Sequence, residues 1–163
     1  MMDKISLSHS LSRPKKEVIV AAKEGSHAFT IAQKHVERVL ESIKKRKQER
    51  SWAKHVASEL NVARSFITQH RKEMEATTGL FHEIETEAVH LTPKIQGLKA
   101  ELTAIELRAA KLSQEVDRVD NADSDKVEEL KHLALKLIEK LKDAMSKETD
   151  LVFESFKDTP ALD

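Results

Sequence analysis

The sequence predicts an all-α protein, an elongated antiparallel helical bundle or coiled coil of three or four helices. Three observations carry this. Turn punctuation is scarce: three Gly and three Pro stand in 163 residues, and a β-sandwich or doubly wound sheet needs far more. An apolar repeat in alternating steps of three and four residues runs from Ala53 to Val119, which makes a narrow seam rather than a broad stripe. Apolar residues make up 39% of the chain and charged residues 34%. That is enough to build a core, but no uninterrupted apolar run reaches the length of about 18 residues that a membrane-spanning helix needs.

The elements follow in order. Residues 1–13 are Ser-rich and aperiodic and read as a flexible tail. Residues 14–157 read as one helical domain, with helices at about 15–48, 51–90 (with a break near 77–79), 93–119 and 124–156, and residues 158–163 as a second tail. In the first helix Pro14 suits the first turn. Phe29, Ala32, Val36, Val39, Leu40 and Ile43 form the apolar face. Gly25 weakens its start by about 1 kcal/mol relative to Ala. The run Lys44-Lys45-Arg46-Lys47-Gln48-Glu49-Arg50 then interrupts the stripe, and Ser51 is placed to cap a second helix after a corner.

From Ala53 the seam visits Val56, Leu60, Ala63, Ile67, His70, Met74, Thr77, Phe81, Ile84, Ala88, Leu91, Ile95, Leu98, Leu102, Ile105, Ala109, Leu112, Val116 and Val119. Only His70 and Thr77 are not apolar. Gly79, Pro93 and Gly97 fall on outer-face positions of this repeat, where a kink does least harm. Two shapes compete: one kinked helix through 51–119, roughly 100 Å long, or a chain folded back at 77–79 or 90–93. Thr92-Pro93 reads as a cap followed by a first-turn proline. Asp123 or Ser124 can cap the last helix, whose expected face is Val127, Leu130, Leu133, Leu137, Leu141, Met145, Val152 and Phe156, with Thr159-Pro160 ending it.

Composition excludes several kinds of chemistry. The absence of cysteine removes disulfides, thiolate nucleophiles and Cys-based zinc sites. The first residues lack an apolar h-region, so a secretory signal is not expected, and the expected setting is intracellular and cytoplasmic. Lys44–Lys47 resembles a short nuclear import signal, which adds the nucleus as a location. The 28 basic and 28 acidic residues balance overall, but residues 1–72 carry 16 Lys/Arg against seven Asp/Glu, and residues 73–163 carry 12 against 21, net +9 and −9. Opposite halves can pair within the chain or with a copy of it, and the basic half can meet an acidic partner.

Motifs that could carry chemistry are few. Glu24/His27, Glu87/His90 and Glu129/His132 have the Glu-x-x-His spacing of di-iron bundles, but none lies on an apolar seam, where a bundle metal site must sit. His70, on the seam, reads as a register device or a pH-dependent weak point, or as a side chain meeting a carbonyl or a wet gap. Residues 56–67 carry a helix-turn-helix pattern, with Ala57 at the small position, Asn61 at the turn and Val62 and Ile67 as apolar followers. Arg64, Ser65, Gln69 and Arg71 would then reach phosphates or bases. Trp52 reads as a packing anchor. Asp123/Asp125 and Glu83/Glu85/Glu87 are charge runs that do not converge on a helix, and no phosphate loop or nucleophile motif occurs.

The expected function is a non-catalytic coiled-coil adaptor or structural subunit of a larger assembly, with no cofactor and no bound metal. Its partner, another protein or a second copy, would dock along Phe81, Ile84, Leu91, Ile95, Leu98, Leu102, Ile105, Leu112 and Val116. The alternative is a nucleic-acid-binding protein using Lys44, Lys45, Arg46, Lys47, Arg50, Lys54, Arg64 and Arg71, with the helix-turn-helix around 52–72. A helical-bundle metalloprotein is a weaker third reading.

Overall fold

The structure, a computed structural model, describes residues 27–45, 52–119 and 124–157. Among them every regular element is helical: α1 (27–44), α2 (Trp52–Glu75), α3 (Leu80–Glu87), a 3₁₀ turn (Val89–Leu91), α4 (Thr92–Arg118) and α5 (Ser124–Lys157). The protein is an all-α bundle. No helix among the described residues is long and apolar enough to cross a membrane. The calls on the tails, Pro14, Gly25, the Ser51 cap, Asp123 and Thr159-Pro160 lie outside the described residues.

Side-chain pairs set the helix directions. His35 meets Glu59, and nearer the corner Trp52 meets Ser42, so α1 and α2 are antiparallel. Lys94 meets Glu154 and Lys147 meets Glu101, so α4 and α5 are antiparallel too. Arg71 pairs with Glu106 and, further on, Glu85 with Lys99. The partners converge on residues 88–91, so α2 and α3 form one bent arm and α4 returns along it. Of the two competing shapes, the chain adopts the folded-back one, with its reversal at 88–91 and a bend at 76–79.

One continuous core draws on every helix. The α1 face from Phe29 to Ile43 is buried as its spacing implies. The seam of α2 to α4 is buried from Val56 to Val116, with Thr77 exposed in the bend. On α5 the inward set differs from the expected one. Ala134, Ala144 and Leu151 are buried, while Leu133, Met145 and Phe156 are only partly so. The true seam steps through Val127, Leu130, Ala134, Leu137, Leu141, Ala144, Glu148, Leu151 and Ser155, alternating three and four. Following the largest apolar side chains slips off that phase at Leu133 and loses it again beyond Leu141, because small and polar residues occupy it.

Two expectations about local chemistry need correction. Thr92 is not a cap that accepts a backbone N–H; it is the first residue of α4, and its hydroxyl donates to the Val89 carbonyl (2.7 Å). Pro93 does occupy the first turn. Gly97 and Pro93 are exposed, but Gly79 is buried rather than outward. Its N–H closes the bend on the Ala76 carbonyl (2.8 Å), and a Cβ there would stand 2.2 Å from the Glu73 carbonyl oxygen. Only hydrogen fits. Gly97, inside α4, has open space where its Cβ would go. Gly79→Ala is therefore expected to lower stability by about 1–3 kcal/mol, and Gly97→Ala to raise it by up to about 1 kcal/mol. Urea unfolding of the two variants checks this; equal shifts would show that the bend does not depend on the close approach.

Candidate functional site

The seam residues expected to receive a partner helix, Phe81, Ile84, Leu91, Ile95, Leu98, Leu102, Ile105, Leu112 and Val116, are all buried against the chain's own helices. The expectation that they face a partner is corrected in this respect: the folded chain fills its own seam. Apolar side chains this close-packed leave no area for another helix.

The seam's polar position has a specific partner. His70 is fully buried, and its Nε2 lies 2.7 Å from Oε1 of Glu148, itself only 6% exposed. His70 thus meets a carboxylate on α5, neither a carbonyl nor a wet gap. The Phe29 ring of α1 packs on the imidazole at 3.9 Å between centroids, so three helices meet here. Nδ1 has no hydrogen-bond partner. A tautomer with its proton on Nε2 donates to the carboxylate and leaves only a lone pair on Nδ1, which suits a dry site better than an orphaned N–H.

Other polar groups also join helices. Nδ1 of His35 lies 2.6 Å from Glu59 Oε2, and its ring stacks near Phe66. The Trp52 indole N–H donates to the Ser42 carbonyl (2.7 Å), which ties the start of α2 to the end of α1 and makes Trp52 a packing anchor. Arg71 is bonded to Glu106 and Glu75. Its bond to Glu106, with Glu75 adding to it, lifts its affinity for its proton above the ordinary arginine value against the opposing effect of burial. It is committed to joining α2 to α4 and not held out for a phosphate.

The helix-turn-helix expectation fails on geometry. Asn61 sits in the middle of unbroken α2, and no described non-Gly residue has positive φ. The small-then-Asn spacing matched a half-buried Ala57 and an exposed Asn61 of a continuous helix. Of the basic residues, Lys44, Lys45 and Lys54 are exposed and Arg64 is half-buried. Arg46, Lys47 and Arg50 lie outside the described residues. Among ion pairs of the described residues, Arg71–Glu106, Arg71–Glu75 and His70–Glu148 join the basic and acidic halves, while Lys94–Glu154, Lys99–Glu85 and Lys147–Glu101 lie within the acidic half.

Lys147, on the α5 surface, is held by Glu101 and then Asp143, which lift its ammonium above the ordinary lysine value. The sign follows: the stability it adds is complete below the ordinary lysine value and is lost as pH rises through the raised one. Lys147→Met is expected to show a smaller alkaline fall in Tm than the natural chain above about pH 10; an identical fall would mean that the pair does not act.

Several grooves lie on the surface of the described residues. One, about 570 Å³, runs along the face of α2 turned away from the seam and is lined by Asn61, Arg64, Ser65, Thr68, Gln69, Lys72 and Glu73. A second, about 430 Å³, lies at the α1–α2 corner among Arg38, Glu41, Ser42, Lys45, Trp52, His55 and Glu59. A third, about 330 Å³, lies between α4 and α5 over Leu98 and Leu151, closed at its ends by the Lys94–Glu154 and Lys147–Glu101 pairs. Among the described residues no three His, Asp or Glu side chains converge as metal ligands. Glu87, His90, Glu129 and His132 all point outward. No family model, curated protein or solved structure matches this chain.

Proposed function

We propose that the chain is a non-catalytic adaptor or structural subunit of a larger protein assembly, acting by helix–helix docking through its outward faces rather than its seam. The observation that carries this reading is the groove along α2. There Asn61, Ser65, Thr68 and Gln69 present neutral donors and acceptors between Arg64 and Lys72. Small-molecule sites are concave and mostly apolar, whereas among the described residues this face is one side of a single helix and suits the polar flank of another helix. His35 with Glu59 and His70 with Glu148 are engaged in holding α1, α2 and α5 together.

The test is a purification of the tagged full chain from its own cells beside Thr68→Glu, with far-UV circular dichroism to show that the fold is kept. The reading expects a stoichiometric partner that Thr68→Glu loses. Absence of any such partner, or equal retention by the variant, contradicts it.

A nucleic-acid-binding reading is favoured by one observation: exposed Lys54 and Lys72 and half-buried Arg64 share α2, and exposed Lys44 and Lys45 end α1. It rests on phosphate contacts, since the turn for base reading is absent. It expects duplex DNA binding that weakens steeply with salt and falls when Lys44, Lys45 and Arg64 are neutralised. No binding at low salt ends this reading.

A further inference from the structure

Every seventh residue from Ile67 to Leu102 is buried: Ile67, Met74, Phe81, Ala88, Ile95 and Leu102. The series crosses the bend at 76–79 and the reversal at 88–91 without losing phase. A helical hairpin does not require this. Its arms face each other whatever the length of the connection, and a heptad has two seam positions, so burial at every seventh residue survives a given break about two times in seven. A continuous helix does require it, because only an unbroken repeat keeps the seam on one side.

The reversal itself is a small departure from helix. Ala88 is non-helical (φ −132°, ψ 70°), whereas Leu91 and Thr92 stay in the right-handed helical region around a single 3₁₀ turn. The Ala88 N–H already bonds to the Ile84 carbonyl (2.7 Å), as it would in a helix. The reversal contains no glycine and no positive φ.

We propose that the chain has a second folded state, a domain-swapped dimer, in which the reversal at 88–91 straightens, α3 runs on into α4, and each α2–α3 arm packs on the α4 of a second copy. The Arg71–Glu106 and Glu85–Lys99 pairs straddle the reversal. A two-fold axis placed there re-forms both between chains, along with the same core. Only the hinge differs between the two states. Pro93 holds the hairpin: in the first turn of α4 its missing N–H is harmless, but inside a straight helix its ring meets the Val89 carbonyl and a bond is lost. The inference rests on the phase of the seam and the form of the reversal, independently of the groove on α2.

The chain contains no cysteine, so single labels are unambiguous. One preparation carries a donor dye on Lys72→Cys and another an acceptor on Leu107→Cys, both exposed positions next to the Arg71–Glu106 pair. The two are unfolded together, refolded at high concentration and separated by mass, in the natural background and with Pro93→Ala. The expected result is a dimer with energy transfer between chains, at least about tenfold more abundant with Pro93→Ala. Folded stocks mixed without unfolding should show no transfer. The proposal is overturned if neither background yields a dimer, if the dimer shows no transfer between these sites and so joins through another surface, or if Pro93→Ala leaves its abundance unchanged.

Discussion

His70→Leu is expected to destabilise the fold by about 3–5 kcal/mol, and replacing Glu148 as well is expected to restore most of that loss. Glu148 is 6% exposed, and its carboxylate has His70 as its hydrogen-bond partner. Taking the imidazole away leaves a buried carboxylate with neither water nor a donor, which is the costly case for polar burial. Glu148→Leu alone strips His70 of its partner and is expected to cost about 1–3 kcal/mol. In the double variant His70→Leu/Glu148→Leu neither unpaired group remains, Phe29 packs on an aliphatic side chain, and stability should return to within about 1 kcal/mol of the natural chain or exceed it. A double-mutant cycle by urea unfolding measures this coupling. Single losses below about 1 kcal/mol that simply add in the double variant would show that the pair is not coupled.

Leu102→Ala is expected to cost about 2–5 kcal/mol, because Leu102 is 1% exposed and its truncation opens a cavity in the seam between α4 and its neighbours. Leu107, on the same helix, is 67% exposed, and Leu107→Ala is expected to stay within about 0.5 kcal/mol. The contrast matters more than either value. Identical chemistry at two positions five residues apart separates the inward face from the outward one. Comparable effects at both would mean that Leu107 is buried in the folded protein in solution.

Much of the fold was legible because helical periodicity is a property of neighbouring residues. The α1 face and the seam from Val56 to Val116 follow from spacing, and the place of Pro93 and the start of α5 near Ser124 from the chemistry of helix first turns. What spacing does not encode is which seam covers which. The row from Phe81 to Val116 reads equally well as an interface for a partner or as the inside of a hairpin. Only the close approach at Gly79 and the reversal at Ala88 make it the latter. The buried pair was half legible. His70 stood out as a polar residue in an apolar seam, but Glu148 did not, although it sits on the α5 seam at the same three-four spacing. The larger side chains Met145, Val152 and Phe156 drew the expected face off phase, so the second polar seam residue went unmatched to the first. The helix-turn-helix pattern failed for the opposite reason: Ala57 and Asn61 satisfy it locally, and nothing in that pattern registers that the helix around them is continuous.

The central claim is that one chain closes its own seam in the folded ground state. It is tested most directly by the urea midpoint of the natural protein, measured across a thousandfold range of protein concentration. A seam closed within the chain gives one cooperative transition whose midpoint does not move with concentration. A midpoint that climbs with concentration from the most dilute samples upward, below the concentrations at which a swapped dimer forms, would show that folding needs a second chain along the seam, and would contradict the claim.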